Sequence, residues 1–312
     1  TFPGKGRPGY EIAYQDFNYL MQAKVDATPI MFENNGEQYR ATHVFVRGNW
    51  MVKGKAVQAD VPDIMNPLPP NVPRNRLGMA LWLTDKKNPL VARTMVNRLW
   101  EQLFGYGLAE TLEDLGTQGI SPTHKELLDH LSWKFMNEYN WSIKRLLKDI
   151  VSSATYRQDS KVNEELIKKD PNNKFYARGS RIRLSAEQLR DQGLEVSNLL
   201  SEKMYGKSVM PFQPTGIWRS PYNGDVWKMS ENEDQFRRAL YTFLKRTAPY
   251  PSMMTFDGGA REVCIPRRIR TNTPLQALTS LNDSTSHVIA RNLAFRMQKI
   301  GGIEANKQIQ KG

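Results

Sequence analysis

Asn88-Pro-Leu-Val-Ala-Arg-Thr-Met-Val-Asn-Arg-Leu-Trp-Glu-Gln-Leu-Phe-Gly105 is the stretch on which the fold class turns. Asn88 supplies a side-chain acceptor for free helical N–H groups, and Pro89 suits the first helical position, where its missing N–H costs nothing. Ala92, Met95, Val96, Leu99 and Leu103 then recur at intervals of three and four, the period of an amphipathic helix. Gly105 tolerates the left-handed conformation that ends one. The spacing predicts a helix over 89–104.

Downstream of Gly105 the same signals return. Thr123 with Glu126 reads as a capping box ahead of Leu127, Leu128, Leu131 and Phe135. Ser142 opens a segment carrying Ile143, Leu146, Leu147, Ile150 and Val151. Ser185 with Gln188 opens another that runs to Leu200, and a helix is expected around Gln235–Lys245. Thr273-Pro274 with Gln276 combines a capping box with a first-position proline, and a last helix is expected from about Ser284 to Met297. Residues 159–174, rich in Lys, Asp and Asn, read as a surface loop. Residues 205–235 hold many Gly, Pro and Trp with little periodicity, and long irregular segments often carry function.

Upstream the character changes. The opening TFPGKGRPGY is Gly- and Pro-rich and is expected to be irregular. The run YRATHVFV, residues 39–46, mixes β-branched and aromatic residues and ends at Arg47-Gly48, so it reads as a strand into a turn. VPDIMNPLPPNVPR, residues 61–74, contains five prolines and is expected to be extended, marking a boundary near residues 62–73. The fold class is therefore mainly α: an irregular helical domain with long loops over 73–312, preceded by a small extended and β-containing N-terminal segment over 1–72. No internal repeat or heptad run is present.

The bulk numbers agree with a folded chain. Of 312 residues, 39% are hydrophobic and 10% aromatic, enough for a core. No stretch approaches the roughly eighteen uninterrupted apolar residues of a membrane span. Against 32 acids stand 44 Lys and Arg, a net charge of +12, which favours polyanionic partners such as acidic glycan, nucleic acid or an anionic surface. A solvated basic surface with no dedicated partner accounts equally for the excess. The single cysteine, Cys264, excludes an internal disulfide, a Cys-x-x-Cys pair and a c-type haem attachment motif within these residues.

Familiar chemistries find little footing. Gly4-x-Gly6-x-x-Gly9 matches the dinucleotide fingerprint in letters, but it lacks a preceding strand and contains Pro8. His124 and His130 lie six residues apart, about 240° around a helix, so they share no ligand face and no metal site is assigned. No Gly-x-Ser-x-Gly elbow occurs. Cys264, between Val263 and Ile265, reads as a buried packing residue, although Arg261, Arg267 and Arg268 would activate it were it exposed.

The densest signal is cationic. Residues 236–272 hold Arg237, Arg238, Lys245, Arg246, Arg261, Arg267, Arg268 and Arg270, opposed only by Asp257 and Glu262. Guanidinium forks bind carboxylate, phosphate or sulfate in pairs of hydrogen bonds, so Arg237, Arg238, Arg246, Arg261, Arg267 and Arg268 are candidate anion ligands. Alternatively they tie helices together through Glu187, Asp191 or Asp283. Arg183, Glu187, Arg190 and Asp191 have the spacing of an ion network satisfied on one helix.

Several of these motifs also occur in order in a known family. Asn97 to Leu108 (NRLWEQLFGYGL), Ser121 to Asp129 (SPTHKELLD), Ser153 to Gln158 (SATYRQ) and Arg183 to Asp191 (RLSAEQLRD) resemble it. So do Phe256-Asp257, Arg267-Arg268, Thr271 to Leu278 (TNTPLQAL) and Leu281 to Asp283, with His43 to Gly48 (HVFVRG) ahead of them. Together they resemble the planctomycete cytochrome-c-associated domain of unknown function 1553, over about residues 74–298. The resemblance implies a C-terminal module of an exported multidomain bacterial protein, at the periplasm or cell surface, partnered by upstream domains of the same polypeptide. It implies no cofactor in these residues, and any haem c would sit in an upstream domain. No reaction or catalytic residue comes with it. Where the family has Ala-Pro and a polar residue after Phe256-Asp257, this chain has Gly258-Gly259-Ala260, which is expected to loosen that turn.

Three readings follow. The first is a binding module whose Arg-rich third holds an anionic ligand such as an acidic or sulfated glycan. The second is a redox or hydrolytic enzyme unit working with an upstream haem c domain through Asp257, Glu262 or Cys264. The third is a structural scaffold of a cell-surface assembly. Nucleic acid is disfavoured, because no helix-turn-helix, zinc-finger or aromatic RNA-binding signature is present.

Overall fold

The computed structural model describes residues 8–22, 30–32, 40–218, 226–259 and 261–311. These are mainly α-helical, with one two-stranded antiparallel sheet. The chain forms two compact units, 1–88 and 89–312.

The first unit contains α1 (Pro8–Gln22), β1 (Thr42–Phe45), β2 (Lys53–Val57) and α2 (Arg76–Leu83). Gly4 and Gly6 of the fingerprint-like run, and Tyr39 of the expected strand, lie outside the described residues. From Pro8 the chain is helical rather than irregular, because residues 10–22 contain neither Gly nor Pro. β1 pairs with β2 in the register Thr42↔Val57 and His43↔Ala56, and Arg47 (φ 51) and Gly48 (φ 75) fall in the connection. Asn75 caps α2 by accepting from Leu77 N and Gly78 N. The Pro-rich run lies against this helix: a Cβ on Gly78 would collide with the Pro73 carbonyl, and Trp82 Nε1 donates to the Asn66 carbonyl at 2.6 Å.

The second unit begins with α3 (Pro89–Phe104), followed by α4 (Lys125–Asn137) and α5 (Ile143–Ser152). The core combines Ala92, Val96, Trp100 and Phe104 of α3 with Leu128, Leu131 and Phe135 of α4 and Leu146 and Ile150 of α5. The deepest stripe of α3 is thus turned from the one the spacing suggested, and Met95, Leu99 and Leu103 pack at its edge. Trp100 and Phe104 stack at 4.2 Å, and the Tyr176 ring meets both edge-on. Burial pushes the Tyr176 hydroxyl up to about 12. Asn97, 1% exposed, braces the turn after Gly105 (φ 83): its Nδ2 donates to the Ala109 carbonyl at 2.8 Å and its Oδ1 accepts from Ala109 N at 2.9 Å.

Local caps are formed at some sites and displaced at others. Ser142 accepts from Arg145 N, and the Ser185–Gln188 and Thr273–Gln276 boxes are both complete. Thr123 is not a cap: its hydroxyl donates to the Leu108 carbonyl, and α4 starts after His124, which makes no side-chain capping bond. Within the expected loop 159–174, Asn163 caps the short α6 (Glu164–Lys169).

The remaining elements are α7 (Ala186–Val196), α8 (Pro251–Thr255), α9 (Pro274–Asn282), α10 (Ser284–Gly301) and α11 (Ala305–Lys311). α7 stops at Val196, short of Leu200. No α-helix covers Gln235–Lys245. Two 3-10 turns, Asn232–Phe236 and Ala239–Tyr241, stand there instead, because the backbone bridges in parallel to residues 201 and 209. Residues 205–218 and 226–231 are irregular, as their composition predicts.

Candidate functional site

A cavity of about 760 Å³ opens in the second unit between three pieces of chain. α3 contributes Glu101 and Gln102, and the start of α7 contributes Ser185, Ala186, Glu187 and Gln188, with Arg183 just before it. The third wall, from Phe256 to Arg270, has no helix or strand among its described residues. It brings Asp257, Arg261, Glu262, Cys264, Arg267, Arg268 and Arg270 onto one surface.

Two ion pairs fix the walls to one another. Glu187 and Arg268 meet at 2.7 Å, and Arg183 pairs with Asp257. The spacing suggested a network closed on one helix; instead Arg183 and Glu187 both reach the C-terminal segment. Arg190 likewise looks outward, donating to the Gln235 carbonyl at 2.7 Å, and its own burial lowers its pKa. Burial alone would raise the Glu187 carboxyl, but the hydrogen bond from Arg268 leads a set of interactions that leave it below its ordinary value.

Asp257 is the anchor of its turn. It adopts φ 63, accepts from Thr271 N at 2.7 Å and from the Thr271 hydroxyl at 2.8 Å, and pairs with Arg183. Burial pushes its carboxyl up, yet these donors outweigh it and the net shift is downward. The Gln276 amide closes the same turn, donating to the Thr255 carbonyl at 3.0 Å and the Thr271 hydroxyl at 3.1 Å, while its Oε1 accepts from Thr273 N. The turn is tight rather than loosened: Gly258 N donates to the Met253 carbonyl at 2.6 Å, the same distance at which a Cβ on Gly258 would meet that oxygen.

The candidate arginines divide by location. Arg261, Arg267 and Arg268 line the cavity, and Arg270 joins them. Arg237 lies elsewhere, 2% exposed, its guanidinium donating to the carbonyls of Lys203, Tyr205 and Lys207 and stacked 3.7 Å over Tyr241. Arg238 pairs with Asp191 at 3.3 Å, and Arg246 is exposed away from the cavity. Among the described residues Arg261, Arg267 and Arg270 make no ion pair with a carboxylate; Arg267 reaches only the Glu110 carbonyl, at 3.5 Å.

Cys264 is exposed on the cavity wall, which corrects its reading as a packing residue: its neighbours Val263 and Ile265 are themselves exposed, so no apolar layer covers it. Glu262 is exposed beside it. The residue that sequence reasoning missed is Glu101, only 6% exposed. Burial raises its carboxyl, opposed by the charge of Arg270, a hydrogen bond from Gln102 and the charge of Arg267. The sequence held no signal for it: nine residues after Ala92, about 180° around the helix, it lies opposite the apolar stripe that the spacing suggested.

Among the described residues, no group of three or more His, Cys, Asp or Glu side chains could hold a metal ion, and no helix is long and apolar enough to cross a membrane. The family model PSD1, described as "Protein of unknown function (DUF1553)", matches residues 75–312, and the chain belongs to that family. No curated protein and no solved structure matches the chain.

Proposed function

We propose that the cavity binds an anionic ligand such as an acidic or sulfated glycan, through Arg261, Arg267 and Arg270. The observation that carries the reading is that these three guanidiniums line one cavity without an ion pair among the described residues. Glu101 and Glu187 oppose these guanidiniums through charge alone, so donors remain for an anion, which a concave site attracts more strongly than an open surface does. A volume of about 760 Å³ also falls in the range of small-molecule sites. Arg268, Arg183 and Glu187 hold the walls, and Arg237 holds the fold. As part of the same proposal, the chain serves as the C-terminal module of an exported multidomain bacterial protein, at the periplasm or cell surface. That part rests on the family resemblance, as does an upstream haem c domain.

Titration with sulfated oligosaccharides at low and high salt tests the reading. Binding should weaken with salt, and Arg267→Ala with Arg270→Ala should reduce affinity by at least roughly tenfold, the equivalent of one lost charge-assisted hydrogen bond. An affinity indifferent to both changes would sink it.

A second reading, a hydrolytic or redox enzyme unit, is favoured by one observation: Glu101, Glu262 and Cys264 share the cavity with the unpaired arginines. Asp257 is less suited to chemistry, because Arg183 and Thr271 already occupy its oxygens.

A further inference from the structure

We propose that Glu101 makes this cavity selective for anions that also carry a hydroxyl group, by accepting a hydrogen bond from that hydroxyl. The inference rests on the anion-binding reading and narrows its ligand class to hydroxylated anions, as sugar acids and sulfated sugars are.

A carboxylate is an unexpected wall for an anion site. It repels the ligand, and burying it costs free energy unless its oxygens find donors. Glu101 is more than nine-tenths buried, yet among the described residues its carboxylate receives only the hydrogen bond from Gln102 Nε2 to Oε2, at 2.6 Å. Oε1 receives no hydrogen bond from the described residues. Arg267 and Arg270 act on Glu101 through charge alone and close no ion pair with it. The cavity therefore presents an acceptor with spare lone pairs beside guanidiniums with spare donors.

A ligand matching both halves places its anionic group on the arginines and a hydroxyl hydrogen on Glu101. A bare anion satisfies only the first and leaves the Glu101 Oε1 without a donor. Sites built to hydrogen-bond a ligand hydroxyl reject analogues lacking it, because the buried partner is left unpaired. The preference need not be large to be read: one such bond to a charged acceptor corresponds to about tenfold in affinity.

The test compares glucuronate with cyclohexanecarboxylate, which has the same charge and ring size but no hydroxyls. Calorimetric titrations use the full chain, as wild type, Glu101→Leu and Glu101→Gln. Wild type should prefer glucuronate by about tenfold. Glu101→Leu should erase that preference while binding cyclohexanecarboxylate at least as well as wild type does. Glu101→Gln, which keeps an acceptor oxygen and the side-chain volume, should retain much of the preference and guards against misfolding of the leucine variant. Equal affinities in wild type, or a preference that survives in Glu101→Leu, would overturn the inference and leave the anion-binding reading standing. Binding of neither probe would overturn both.

Discussion

The Glu187 carboxylate and the Arg268 guanidinium meet at 2.7 Å, joining the first turn of α7 to the irregular segment that forms the far wall of the cavity. The pair is partly buried, with side-chain exposures of 25% and 32%, so water screens it only in part. Arg268→Ala should cost about 1–2 kcal/mol in urea unfolding, within the span of hydrogen bonds to charged groups. Glu187→Gln should lose most of the same increment, and the double variant should cost little more than either, as coupled partners require.

Arg237 and Arg267 should behave as opposites. Arg237→Met removes a buried guanidinium from three carbonyls and should destabilise the chain by about 3 kcal/mol or more, because those acceptors are left unpaired. Arg267→Ala should change the midpoint of thermal unfolding little and reduce anion affinity. Thermal melts read beside binding titrations separate the two.

Two carboxylates in one cavity should give opposite pH signatures. The Glu101 carboxyl is raised by burial, so the stability it contributes is fully present below its ordinary value of 4.5 and is lost as pH rises through its folded value. Glu101→Gln should therefore raise the melting temperature at pH 7 but not at pH 4. Asp257 is net lowered, so its contribution is present above its ordinary value of 3.8 and is lost as pH falls through its folded value. Asp257→Asn should lower the melting temperature at pH 7, with the deficit shrinking as pH falls below about 4. From pH 3 to 7 both variants should move away from the wild-type melting curve, Glu101→Gln upward and Asp257→Asn downward.

Cys264 is exposed among arginines, so a thiol reagent should label it in the folded chain without denaturant. Sulfated oligosaccharide should slow the labelling if it fills the same cavity. Labelling that requires unfolding would contradict the exposed position.

How legible the fold was depended on how local its signals were. The helix over 89–104 and the boxes at Ser185 and Thr273 were readable because each cap and its partner lie within one turn. Thr123 failed because its hydroxyl is taken by the Leu108 carbonyl, and Gln235–Lys245 because bridges to residues 201 and 209 hold that backbone out of a helix. The α1 helix was hidden behind a Gly/Pro-rich start. At the site, the arginine cluster was visible as composition, but which guanidiniums remain unpaired depends on contacts across long sequence separations. Arg237 and Arg267 look alike in sequence and differ only in what surrounds them. Glu101 was lost inside an amphipathic pattern that sorts residues by hydropathy and carries no information about the opposite wall.

The Gln276 amide belongs at once to the first turn of α9 and to the Asp257 turn, so neither can open by itself. Fraying of α9 at its start withdraws donors from Thr255 and Thr271 and releases one edge of the cavity in the same event. Amide hydrogens at Thr271, Thr273 and Gln276 should therefore exchange with solvent as a single cooperative group, and a ligand held in the cavity should slow all three together.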